Sequence, residues 1–121
     1  MLRRMLKRLG LLAFSAMFLR GGYQQFKDPG PRSQQAIKAG VPASQTFVQA
    51  SGLVMIAAGL LLQVDPLRRV AAWILALQLP PITYVGHRFW EAEGQARAMQ
   101  TVQFFKNLTM FGGALYIASD R

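Results

Sequence analysis

The sequence predicts an all-α fold, an integral membrane four-helix bundle with both termini cytoplasmic, and three observations predict it. The composition is 52% hydrophobic with 16% charged residues, against roughly 25% charged in a soluble domain. The apolar residues fall into four blocks with the charges mostly between them, whereas a soluble helix carries its charges along one face. Bases gather at the block ends: Arg3, Arg4, Lys7 and Arg8 precede the first block, and Arg68 and Arg69 lie between the second and third. Anionic headgroups and the insertion machinery both read bases placed there. A chain of 121 residues is enough for one membrane domain.

The first block covers 9–25, LGLLAFSAMFLRGGYQQ. Its basic start and apolar core have the outline of a secretory signal. Arg20 interrupts it and no small-x-small cleavage pattern follows, so an uncleaved helix is expected. Residues 26–44 hold three of the six prolines and three bases. They read as an external loop with room for a short surface helix around 33–38. The second block, 45–64, has about the 20 residues that a ~30 Å hydrocarbon core requires. Gly52 and Gly59, set among Ala50, Ser51, Ala57 and Ala58, favour close helix approach in lipid.

Asp65-Pro66 predicts a tight turn. The third block, 67–85, is interrupted by Pro80-Pro81, which leave upstream carbonyls unpaired and should break or kink the helix. Residues 86–100 form a second polar, external loop, with Tyr84 and Trp90 placed as interfacial anchors. The last block, 101–118, contains Lys106, Asn107 and Gly112-Gly113. The pairs Gly21-Gly22 and Gly112-Gly113 are expected to mark helix contacts.

Orientation follows from the bases. With the N-terminus inside, the cytoplasmic ends carry Arg3, Arg4, Lys7, Arg8, Arg68, Arg69 and Arg121. The outer loops carry Lys27, Arg32, Lys38, Arg88 and Arg97, offset by Asp28, Glu91 and Glu93. A multi-pass protein of the cell (inner) membrane is expected.

Several function classes fall away. The net charge of +9 could serve a nucleic acid, but no stacking aromatics alternate with the bases. With no cysteine, thiol catalysis, disulfides, iron–sulfur ligation and thiolate zinc sites are excluded. With one histidine, His87, and no cluster of His, Asp and Glu, no metal or haem is expected to be held by this chain.

Polar groups at membrane depth are costly, so each is a functional candidate. They are Arg20, Gln24, Gln25, Gln49, Gln78, His87, Lys106 and Asn107. In an up-down bundle all but the deeper Gln78 converge on the outer half. No apolar block contains an acid, so Arg20 and Lys106 lack a carboxylate at their own depth. One reading has their stems snorkelling to the interface. A second has them hold an anionic or electron-rich group: a lipid headgroup, an oxyanion or a quinone oxygen. A third pairs them with a carboxylate of a partner subunit. His87 titrates in the working range and suits proton exchange with a quinone, although a lone interfacial histidine is more often a polar anchor. Phe89, Trp90, Phe104 and Phe105 are expected in the lipid-facing belt or the core.

The string FLRGGYQQFKDP (18–29) resembles the end of the first helix in DoxX-like membrane proteins. There a phenylalanine–leucine pair is followed by a glycine, a lysine and an aspartate–proline exit. QASGLVMIAAGLLLQ (49–63) is similar to that family's glycine-rich second helix. FFKNLTMFGGALYIA (104–118) resembles its final helix, with a lysine–asparagine–leucine start and paired glycines. Two positions depart: Gln25 stands where the family places a lysine, and Gln49 where it places a glutamate. If those residues pair in relatives, an ion pair has become an amide–amide contact here, which bonds in both directions without buried charge.

The resemblance implies a membrane subunit near quinone. Members are associated with membrane-bound redox assemblies, including small subunits of a thiosulfate–quinone oxidoreductase and complexes with soluble redox-protective enzymes. The leading expectation is an accessory or anchoring subunit of a respiratory or redox complex, with no activity of its own. Its outer half would shape a quinone or lipid site from Arg20, Gln25, Gln49, His87, Lys106 and Asn107. Its partners would be a larger membrane complex and phospholipids, not nucleic acid. Two other readings are a component that itself binds quinone or a sulfur oxyanion, and a small transporter or lipid-binding module. The last ranks lowest, because no intramembrane acid is available for proton coupling.

Overall fold

The computed structural model describes residues 1–120; Arg121, counted above among the inner-side bases, lies outside them. Five α-helices stand where the sequence predicts four. They are α1 Leu2–Lys27, α2 Gly30–Lys38, α3 Ser44–Leu61, α4 Arg68–Gly86 and α5 Gly94–Ser119, with single 3-10 turns at Asp65–Leu67 and Phe89–Glu91.

The long elements keep their predicted order, but three boundaries or breaks change. α1 begins at Leu2 rather than near residue 9, and α5 at Gly94 rather than near 101. The added segments, LRRMLKR and GQARAMQ, are mostly Leu, Met, Ala, Gln, Arg and Lys. These are strong helix formers whether or not they are apolar. α4 runs unbroken through Pro80 and Pro81, which correct the expected interruption. The missing N–H groups free the carbonyls of Ala76 and Leu77, yet the packing of this helix against α3 and α5 holds it together.

The extra helix, α2, is more than a surface turn. Pro31 sits in its first turn, where a missing N–H leaves no hydrogen bond unmade. It buries Ser33 and Ala36 against α3 and α4, and the Ser33 and Ser44 hydroxyls share a buried hydrogen bond of 3.0 Å. Its exit is made by Gly40 at φ +83, which lets the Val41 N–H reach back 3.0 Å to the Ala36 carbonyl. The chain can thus return at once into α3.

Two antiparallel pairs, α1 with α3 and α4 with α5, are joined through α3 and α4. The core is made by Phe18, Met55, Ala58, Leu62, Ala71, Ala72, Leu75, Ala76, Leu79, Ala114 and Ala118. The many alanines let helix axes approach closely. The closest approach is between glycines: a methyl built on Gly22 would lie 2.5 Å from the Gly52 carbonyl oxygen. At Gly59 and Gly113 the added methyl would meet Leu19 at 3.1 Å and Phe14 at 2.7 Å. Gly21 makes only ordinary contact with Met55, and Gly112 faces open space. Of the glycine pair on α5, only Gly113 is therefore a packing position.

At the end where α1 begins, bases cap helix ends. Arg8 and Arg68 donate to the carbonyls of Gln63 and Leu62 at 2.6 and 2.7 Å. Arg69 donates to the Ala118 carbonyl at 3.0 Å. These are carbonyls that a helix or turn leaves without an internal partner. Arg68 also pairs with Asp65 at 2.5 Å, and this guanidinium holds the Asp65 carboxyl below its ordinary value.

The outer faces are apolar. Leu6, Leu9 and Leu12 on α1, Leu53 and Leu60 on α3, Trp73 and Leu77 on α4, and Val102, Phe105 and Tyr116 on α5 are all exposed. Among the described helices only α3 is long and apolar enough, by length and composition, to cross a membrane. The other three long helices are diluted by bases and glutamines, Arg20, Gln25, Gln78 and Lys106 among them.

Candidate functional site

At the end opposite the capping bases, the two helix pairs enclose a cavity of about 470 Å³ beneath α2. Each element supplies one face at helical spacing. α4 contributes Gln78, Pro81, Ile82 and Val85; α2 contributes Arg32, Gln35 and Ala36; α5 contributes Gln103 and Lys106. Gln25 of α1, Phe47, Val48 and Ser51 of α3, and His87 just past α4 also line it. Aliphatic and aromatic walls thus carry a small polar set that includes three basic side chains and no acid.

The polar groups are held in place by one another. The Lys106 ammonium donates to Gln103 Oε1 at 2.6 Å. The Gln78 amide donates to both the carbonyl and the hydroxyl of Ser51, at 2.7 and 2.6 Å. Its own Oε1 is sealed from solvent without a partner. His87 Nδ1 lies 2.7 Å from Gln100 Oε1. A proton on Nδ1 serves that contact and leaves Nε2 as an acceptor. Burial pushes the imidazole below its ordinary value; the Gln100 bond opposes this, while Lys106 and Arg32 add to it. Burial thus favours the neutral form of His87.

The six sequence-derived candidates separate. Gln25, His87 and Lys106 line the cavity. Gln25 and Gln49 do not form the amide–amide contact expected of them. Gln25 donates instead to the Val48 carbonyl at 3.1 Å, and Gln49 to the Phe26 carbonyl at 3.0 Å. The result is a reciprocal clasp between α1 and α3, each amide holding the other helix's backbone. Phe26 lies in the last turn of α1, where a carbonyl has no partner within the helix, so the Gln49 bond closes that end.

Arg20 is exposed and does not line the cavity, although with Arg32 it is one of the two charges acting on Lys106. Asn107 is turned away, buried in the α4–α5 seam with a 3.0 Å bond to Thr83. It borders a second, largely apolar cavity of about 310 Å³ with Trp90, Phe104 and Phe111. Phe89, Trp90, Phe104 and Phe105 form an edge-to-face cluster, with centroids 5.2 to 6.2 Å apart, that ties the turn before α5 to that helix.

Sequence reasoning missed Arg32, Gln35 and Gln103 as lining residues. The spacing of Arg32, Gln35 and Ala36 on one face of a nine-residue helix was the available signal. Among the described residues no group of His, Cys, Asp and Glu could hold a metal ion.

The fold and site define a class: an all-helical bundle of four long helices with a basic, acid-free cavity roofed by a short fifth. A family model, DoxX, matches residues 8–88, more than half of the chain, and the chain belongs to the DoxX family. The match runs from within α1 through α4 and takes in the cavity residues up to His87; it stops short of α5, where the likeness of 104–118 lies. No similar protein was found among curated ones, and no similar solved structure was found.

Proposed function

We propose that this chain is a multi-pass membrane subunit that accompanies a larger redox complex, and that its outer cavity holds the head of a membrane amphiphile, a quinone or a lipid. The observation that carries the reading is the cavity itself. Its volume suits a small-molecule head, its walls are largely apolar, and its polar lining joins glutamines and Ser51 to the basic groups Arg32, Lys106 and His87, with no acid. A bare sulfur oxyanion would have no use for the walls.

A membrane setting is supported by the exposed leucines and aromatics on all four long helices, since large contiguous apolar surface marks a membrane or partner interface. Lengths agree: at 1.5 Å per residue, the 18 residues of α3 span about 27 Å and the 26 of α1 about 39 Å. Bases that cap helices at one end and line the cavity at the other would both lie at headgroup depth. Family membership supports a membrane location and leaves the partner open.

The test is purification of the tagged chain from native membranes in mild detergent, followed by mass spectrometry. Co-purification of redox subunits and bound quinone or lipid supports the reading. A free homo-oligomer without redox partners would count against an accessory role.

A further inference from the structure

Two basic side chains from two helices line the cavity, Arg32 on α2 and Lys106 on α5, and the charge of Arg20 on α1 also acts on Lys106. None pairs with a carboxylate among the described residues. Lys106 has a single neutral partner, Gln103. Like charges converging beside a low-dielectric wall repel one another more strongly than in water. At the opposite end of the molecule, Arg8, Arg68 and Arg69 bond to backbone carbonyls and Lys7 lies 3.8 Å from Asp120. Arg32 and Lys106 have no carboxylate or backbone-carbonyl partner among the described residues, and they sit beside apolar walls that suit a hydrocarbon.

We infer that the cavity selects a lipid whose phosphate-bearing head has a net negative charge. The inference rests on the amphiphile reading above and narrows it. A phosphate oxygen accepts charge-assisted hydrogen bonds from Lys106 and Arg32, and its charge offsets the repulsion among all three bases. An uncharged quinone head accepts hydrogen bonds but leaves that repulsion in place. A zwitterionic head brings its own ammonium back against Arg20 and Arg32.

The experiment is native mass spectrometry of the full chain, delipidated in a nonionic detergent, with four probes: phosphatidylglycerol, phosphatidylcholine, decylubiquinone and inorganic phosphate. Phosphatidylglycerol is expected to bind about tenfold more tightly than phosphatidylcholine. Arg32→Ala with Lys106→Ala should abolish that preference. Lys106→Arg, which keeps the charge and guards against loss through misfolding, and Arg3→Ala with Arg4→Ala, at the other end of the molecule, should both retain it. Equal binding of the two lipids, or an undiminished preference in the Arg32/Lys106 double variant, overturns the inference. So does loss of preference in the Arg3/Arg4 variant, which would place the head at the opposite end. Inorganic phosphate that binds as tightly as phosphatidylglycerol overturns the lipid part. Decylubiquinone bound by wild type and double variant alike, with no lipid preference, refutes the anionic head while leaving the amphiphile cavity standing. Binding of no amphiphile at all refutes both.

Discussion

Gly22 and Gly52 bring α1 and α3 into backbone contact: a methyl on either would lie 2.5 to 2.6 Å from the other's carbonyl oxygen. Neither obstacle is the end of a flexible side chain, so the helices themselves must move apart. Gly22→Ala or Gly52→Ala should therefore destabilise the chain by about 1–3 kcal/mol, as overpacking does. Gly112→Ala, with nothing within 4 Å, should be neutral or stabilising by up to about 1 kcal/mol through helix propensity. Thermal unfolding in one detergent compares the three.

The reciprocal amides above that crossing make a second prediction. Gln49→Ala leaves the Phe26 carbonyl at the end of α1 without its bond, and Gln25→Leu removes the bond to Val48. Each should cost about 1 kcal/mol, and the two should be close to additive, because each amide acts on the opposite backbone and not on the other amide. Strong coupling in a double-mutant cycle would mean that the side chains bond directly.

Asn107, only 4% exposed, bonds Thr83 across the α4–α5 seam and takes no part in the larger cavity. Asn107→Leu should lower stability by about 1 kcal/mol, with a coupling to Thr83→Val of roughly 0.6 kcal/mol, the usual size of such bonds between membrane helices. Lipid binding should be unchanged, which a combined melting and binding series would check.

His87 and Asp65, both at helix ends or turns, act in different pH windows. His87 binds fewer protons folded than unfolded, because burial disfavours its charged form. Its contribution turns unfavourable as pH falls through 6.5, its ordinary value, and grows until the folded group protonates. Asp65 has the opposite sense: held below 3.8 by Arg68, it stabilises above that pH and loses this as pH falls through its folded value. Loss of stability between pH 7 and 5 should thus belong to His87, and His87→Gln should flatten the curve there while leaving the acid limb below pH 4.

Much of this architecture was legible in the sequence, because four apolar blocks divided by bases leave few arrangements. The boundaries were not. Block length measures hydrophobicity, whereas Arg, Lys, Gln and Met extend a helix as readily as leucine does. α2 was read as a short surface helix around 33–38 inside a proline-rich loop; its start at Gly30 was missed, although Pro31 falls where a helix tolerates it.

Depth was readable at the site and direction was not. Arg20 lies five residues from Gln25, about 140° around the helix, and Asn107 lies about 100° from Lys106. The polar groups of the helices thus cluster at one end, while only those in the right phase meet the cavity. Arg32 and Gln35 were invisible until α2 folded over it.

Membrane topology is the central claim, and the absence of cysteine makes it directly measurable with single substitutions and a membrane-impermeant maleimide. Gln34→Cys on α2 should label in intact cells, Ser119→Cys only after permeabilisation, and Leu53→Cys in the middle of α3 in neither case. Labelling of Ser119→Cys and Gln34→Cys from the same side, or ready labelling of Leu53→Cys, would contradict four crossings with the cavity outside.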